Sequence, residues 1–193
     1  MEMNKKQILA HVEECINKLK KTFQDNHDYF MDMKEFDLTA YLYHLIAEKD
    51  SFLEEVSVKY EDDNRNYGTK ILQVESSTYD KVIIRKGRFD LTIYDSDKLA
   101  DAKCETEQSY LIAIELKWLG SLNGKTGKTS IKDIKKDIKK KINNKKNHVE
   151  HGFLLIFDKD EKFTKAFKRS IISYNKNPRK LKIFFINAKK IKK

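Results

Sequence analysis

Apolar residues follow two rhythms along the chain, and the switches between them mark its elements. Ile8, Val12, Ile16 and Leu19 recur at steps of three or four with charges between them, the period of a helix laid against a core. Glu35-Phe36-Asp37-Leu38 leads into TAYLYHLIAEKD, where Leu38, Leu42 and Leu45 keep the helical step with Tyr41 beside them. Between about 52 and 79 the rhythm shortens to two. FLEEVSVKYED alternates through Val56, Val58 and Tyr60, and ILQVESSTY prolongs the pattern, which predicts a first strand or hairpin. RFDLTIYD alternates again, with Phe89, Leu91 and Ile93 on one face and Arg88, Asp90, Thr92 and Tyr94 on the other. The polar stretch 95–109 reads as a long exposed connection into YLIAIELKW, the strongest strand of the chain.

A Gly-containing loop, 120–128, then precedes a helix from about 129 to 146, in which Ile131, Ile134, Ile138 and Ile142 form the inward stripe. HGFLLIFD is a short apolar run, as expected of a strand covered on both faces. EKFTKAFKRSIISY is helical through Phe163, Phe167 and Ile171, and LKIFFINA is a last strand. The order αα, β-hairpin region, β, β, α, β, α, β predicts an α/β fold, a mixed central β-sheet flanked by helices. With 193 residues, a single Pro, six Gly and no repeat or Ser-rich linker, the whole chain, 1–193, reads as one domain.

Charge adds an asymmetry to this picture. The net of +10 conceals an acidic first part: residues 1–116 carry 16 Lys/Arg against 24 Asp/Glu. Residues 117–147 carry 11 Lys against 2 Asp, and residues 161–193 carry 12 Lys/Arg against 1 Glu. Such a basic half suits a polyanionic partner, of which nucleic acid is the commonest, although a lysine-rich helix is often only a solvated face. The first helix lacks the unbroken apolar run of a signal peptide, and no stretch approaches a membrane span, so the expectation is a cytoplasmic protein with no membrane association. Cys15 and Cys104 form no CxxC pair and read as free thiols. His148 and His151 flank a strand start and read as surface or packing residues, and Trp118, Phe163 and Phe167 as core rather than base-stacking platforms.

Two chemistries compete for residues 113–134, AIELKWLGSLNGKTGKTSIKDI. A phosphate-binding loop needs G-x-x-x-x-G-K-[ST], so that its backbone N–H groups converge on the phosphates. The register fails here: the position five before Gly124 is Leu119, and five before Gly127 is Leu122. A phosphate-loop nucleotidase, with Asp158 at the end of HGFLLIFD as its magnesium ligand, therefore stays the weaker reading. The second signal is the charged pair in the strand. Ile112, Ile114 and Leu116 point one way and Ala113, Glu115 and Lys117 the other, so a carboxylate and an ammonium are neighbours on one face of a buried strand. Desolvating both costs several kcal/mol per ion, roughly, unless each finds a partner, and a function is a good reason for keeping them there.

Asp90 on the polar face of the preceding strand, Glu115-Leu116-Lys117 on the next, the lysine-rich helix and the apolar strand after it together resemble the PD-(D/E)XK nuclease superfamily over about residues 35–158. The resemblance implies a restriction-endonuclease-like αβββαβ core, here with an extra N-terminal helix and a C-terminal helix and strand. It also implies Asp90 as the first acid, Glu115 as the second and Lys117 as the lysine. Glu35 matches in place the additional helical Glu that some members use, with Asp37 its rival and plain helix capping its ordinary role. Phe89 stands where the name-giving Pro would be. The activity implied by the resemblance is that of an endonuclease hydrolysing phosphodiester bonds of DNA with Mg²⁺, or Mn²⁺ in its place. Asp90, Glu115 and the carbonyl of Leu116 would hold the ion, and Lys117 would handle the attacking water. Lys125, Lys128, Lys132, Lys135, Lys136, Lys139 and Lys140 then fall to phosphate binding. A noncatalytic nucleic-acid-binding module on the same scaffold is the alternative. Cutting both strands with one site per chain would call for a homodimer.

Overall fold

A computed structural model describes residues 3–26, 35–49, 52–53, 55–59, 66–77, 88–99, 109–119, 131–142, 148–158 and 163–187. The first helix, α1 (Lys5–Asp25), is opened by a capping box: the Asn4 side chain accepts from Gln7 N at 3.1 Å, and the Gln7 side chain accepts from Asn4 N at 2.9 Å. Val12, Ile16 and Leu19 of the expected stripe are buried, joined by Cys15 and Phe23. The second helix, α2 (Glu35–Ala47), buries Leu38, Leu42, Leu45 and Ile46.

The alternating region after α2 divides in two. β1 (Glu55–Lys59) and β2 (Asn66–Lys70) pair antiparallel as a separate hairpin, whereas β3 (Leu72–Ser77) joins the main sheet. That sheet has the order β3-β4-β5-β6-β7, with β4 at Arg88–Tyr94, β5 at Tyr110–Trp118, β6 at Val149–Asp158 and β7 at Leu181–Asn187. β3, β4 and β5 run antiparallel to one another, and β5, β6 and β7 run parallel. All nine residues of β5 are buried, as are the seven from Gly152 to Asp158 in β6, which is why these strands read as near-continuous apolar runs. α1 and α2 pack against one face through Ile112, Ile114, Leu116, Phe153 and Leu155. The other face takes α4 (Ile131–Asp137) and α5 (Lys165–Ile172) through Ala113, Leu154 and Ile156. The expected mixed sheet flanked by helices is thus present.

Phe89 packs in the cluster of Ala113, Leu154 and Ile156, whereas Leu91 and Ile93, with which the alternation predicts a shared face, belong to the other cluster. Three further details differ from expectation. The connection after β4 is not wholly exposed: Asp95 is 2% exposed and takes Lys5 Nζ at 2.8 Å and Lys98 Nζ at 3.1 Å, the latter from the single-turn helix α3 (Ser96–Leu99). Ile131, the first residue of α4, is exposed rather than inward. The third difference is a π-helical turn, Ile138–Ile142, that continues α4. Ile134, Ile138 and Ile142 are all buried although successive steps of four drift by about 40° around an ordinary helix. The wider π turn drifts the other way and returns Ile142 to the sheet.

Gly152 makes room for that return. A Cβ on Gly152 would collide with the Ile142 Cγ2 methyl and approach the Leu181 Cδ1 at 3.4 Å. Gly152→Ala is therefore expected to lower stability by about 1–3 kcal/mol through overpacking. Chemical denaturation checks this, and an unchanged midpoint would show that Ile142 simply yields.

Candidate active site

β4 and β5 stop pairing just where their charged residues begin. Their register runs from Tyr94↔Tyr110 to Leu91↔Ile114. Beyond that point the Asp90 carboxylate takes over as acceptor, with Oδ2 receiving the Leu116 N–H at 2.7 Å. From α2, the Glu35 carboxylate does the same two residues further along β5, with Oε2 accepting from Trp118 N at 3.2 Å. Both acids are thereby anchored on the backbone of β5 at either side of Lys117.

The Lys117 side chain lies at the centre of this arrangement. Its Nζ is 3.3 Å from Glu115 Oε2, 3.4 Å from Glu35 Oε1, 3.4 Å from Asp137 Oδ2 and 3.9 Å from Asp90 Oδ2. Those carboxylates come from α2, β4, β5 and α4, so four separate elements converge on one ammonium. Glu115 is fully buried and the Lys117 side chain 9% exposed, whereas Asp90 and Glu35 open toward solvent. Burial works against the lysine's charge, but Glu115, Asp90, Glu35 and Asp137 more than offset it and hold its pKa well above the usual ammonium range. Glu35 shows the opposite balance. Burial raises its carboxyl pKa, Lys117 pulls it down, Asp90 pushes it up again, and the outcome is a raised value.

A cleft of about 250 Å³ adjoins the acids, lined by Glu35, Phe36, Thr39, Val74 and Asp90. Phe36 and Val74, both exposed, form its apolar rim. The donor set beside this cleft is oxygen only and carries more negative charge than one ammonium neutralises, which is the chemistry a hard divalent cation matches. As the side chains stand, no group of three His, Cys, Asp or Glu among the described residues is disposed to hold a metal ion. The position between the acids belongs to the Lys117 ammonium.

Asp90, Glu115, Lys117 and Glu35 are thus brought together. Asp37, the rival of Glu35, is exposed. Leu116 is buried between the two charged residues of β5, its N–H given to Asp90. Sequence reasoning misses Asp137. It lies in a run of lysines, and the one available signal is its spacing of three from inward-facing Ile134, which puts it beside the buried stripe.

The basic residues are only partly in view. Lys132, Lys136 and Lys139 are exposed along α4 and the π turn at helical spacing. Lys135 is half-buried with its ammonium 5.5 Å from the centre of the Tyr174 ring. The side chain of Lys140, and Lys125 and Lys128 altogether, lie outside the described residues, as do Cys104 and the loop 120–130. Asp158, the acid of the phosphate-loop reading, is buried and accepts from Phe163 N at 2.7 Å. Trp118 packs edge-on against Phe23 in the core, whereas Phe163 and Phe167, expected as core, are partly buried and pack on Phe185 at its edge. His148 is exposed and His151 half-buried, with Nε2 of the latter 3.6 Å from Glu150. No helix among the described residues is long and apolar enough to cross a membrane. No protein-family model, curated protein or solved structure matches the chain.

Proposed function

We propose that this chain is a Mg²⁺-dependent endonuclease of the PD-(D/E)XK type that hydrolyses phosphodiester bonds of DNA. The observation that carries the reading is the meeting of Asp90, Glu115 and Glu35 around Lys117 at the splayed end of β4 and β5. The element order supports it: with the β1–β2 hairpin and the single-turn α3 set aside as insertions, α2, β3, β4, β5, α4 and β6 follow the order of a restriction-endonuclease-like αβββαβ core, with α1 before and α5 and β7 after. A metal-free structural role accounts less well for four carboxylates gathered on one buried ammonium, since such a cluster seldom returns its desolvation cost.

In this reading Asp90 and Glu115, with the Leu116 carbonyl, hold Mg²⁺, and Mn²⁺ suits the same oxygen donors. The bound ion supplies an acidified water and charge stabilisation at the phosphate. Lys117 orients the attacking water and offsets charge growing on the phosphate oxygens. Glu35 holds Lys117 from the α2 side and anchors the end of β5 at the Trp118 N–H. The cleft beside Asp90 gives the scissile phosphate its way in. Cleavage of both strands would require two copies of the chain, arranged as a homodimer.

The test is incubation of supercoiled plasmid with the purified protein in Mg²⁺ and in EDTA, with Glu115→Gln as the control. Nicking by the wild type in Mg²⁺ alone is expected. Equal nicking by the variant would remove Glu115 from the mechanism, and salt-sensitive DNA binding without any nicking would favour a noncatalytic binding module.

Phosphate binding falls to Lys132, Lys136 and Lys139, together with Lys125, Lys128, Lys135 and Lys140. Replacing the exposed row Lys132, Lys136 and Lys139 by Ala is expected to reduce the slope of log affinity against log salt by about 2.7, roughly 0.9 for each phosphate that is no longer neutralised. Fluorescence anisotropy with a labelled duplex across a salt series checks this, and an unchanged slope would take α4 out of the interface.

A further inference from the structure

We infer that Asp137 is a positioning residue that draws the Lys117 ammonium toward α4 and so leaves Asp90 free to face the cleft. The inference rests on the nuclease reading for its consequence but on distances alone for its geometry. Three acids stand almost equally close to Nζ, Glu115 at 3.3 Å, Glu35 at 3.4 Å and Asp137 at 3.4 Å, while Asp90 is the outlier at 3.9 Å. The outlier is also an acid that lines the cleft. An ammonium on a flexible four-carbon stem settles where its neighbours' pulls balance. Without Asp137 the remaining three come from α2, β4 and β5, and the balance point shifts toward Asp90, the carboxylate that a divalent cation needs.

Asp137 is itself held firmly enough to act this way. It follows the buried Ile134 by one turn and immediately precedes Ile138, the first residue of the π turn. Ile134, Ile138 and Ile142 are all fully buried against the sheet, so the rung of α4 that carries Asp137 cannot rotate without unseating them. Its side chain is 18% exposed, which limits the screening of its pull on Lys117. Nothing in this requires Asp137 to touch the ion.

Two measurements test the inference. In the metal-free protein, nitrogen-15 NMR of the lysine ammonium groups should show Lys117 protected from solvent exchange. Asp137→Asn should reduce that protection, as the ammonium shifts toward the more open Asp90, and Asp137→Glu should restore it. A Lys117 signal untouched by Asp137→Asn overturns the inference, whatever the protein does with metal. Calorimetric titration with Mn²⁺ is the second. Asp137→Asn should weaken binding about tenfold, within the range of residues that act through a neighbour, and the loss should vanish in a Lys117→Met background. A loss that persists undiminished there means that Asp137 acts on the ion directly, and the positioning role fails. Should Lys117→Met prove too unstable to titrate, the ammonium signal decides. If Mn²⁺ binds none of the proteins, the nuclease reading fails, while the NMR result still judges the placement of Lys117.

Discussion

Lys117→Met is expected to lower stability at neutral pH by about 3–5 kcal/mol, the range for removing one partner from a buried ionic cluster, and to reduce Mg²⁺-dependent cleavage to background. Methionine fills much of the space but takes the Lys117 ammonium away from Glu35, Asp90, Glu115 and Asp137. Glu115 is fully buried, so its charge has no route to water. The pH dependence separates this effect from lost packing. Lys117 has a folded pKa above its ordinary 10.5, so the stability that it contributes is complete below that value and is lost only as pH rises beyond it. Glu35 has a folded pKa above its ordinary 4.5, so its contribution is largest below that value and is lost as pH rises through the folded pKa. Acidification should therefore restore the variant more than the wild type, because Glu35 once protonated no longer needs the ammonium. Mn²⁺ should restore it as well, since a cation that binds only the folded protein stabilises it by mass action. Urea unfolding at pH 7 and pH 5, with and without Mn²⁺, reads all of this. A variant as stable as the wild type and indifferent to both would mean that the four carboxylates do not depend on Lys117.

Much of this site is legible in the sequence because it breaks the pattern that encloses it. An apolar strand with two charges at alternate positions states by its period alone that they share a face, and Glu115 and Lys117 do. Asp90 can be placed because RFDLTIYD alternates cleanly and its partner strand comes next in the chain. The layer order is readable for the same reason, since periods of two and of about 3.6 distinguish strand from helix residue by residue. Pairing is not readable: alternation says which face a residue takes but not which strand lies beside it, so the separation of the β1–β2 hairpin from β3 is hidden. Asp137 is hidden by its company, because a lysine run is normally a solvated face and the π turn that fixes its rung has no sequence signature. Asp95 is hidden similarly, a buried acid at the head of a polar stretch, one of whose two lysine partners, Lys5, lies ninety positions away.

Glu115→Gln should separate stability from activity, which Lys117→Met lowers together. Glutamine keeps the shape of the side chain and removes one negative charge from a cluster in which four carboxylates share one ammonium. Lys117 keeps Glu35 and Asp137, both at 3.4 Å, and the new amide donates among carboxylate acceptors rather than standing unsatisfied. The metal-free variant is therefore expected to melt no lower than the wild type, and higher if repulsion among the acids outweighs the lost ion pair. Cleavage should fall by about 10²–10³-fold, the scale of removing one charged group from a preorganised phosphate site. The stabilisation of the wild type by Mn²⁺ should shrink with it. A gain in stability at the expense of activity is what a site built for chemistry produces, because its charges are arranged for a ligand and not for the fold. Melting curves with and without Mn²⁺, set beside single-turnover cleavage of a labelled duplex, decide the matter. If Glu115→Gln lowers the melting temperature as much as Lys117→Met while cleavage persists, Glu115 is a structural acid and the catalytic carboxylates must be sought elsewhere.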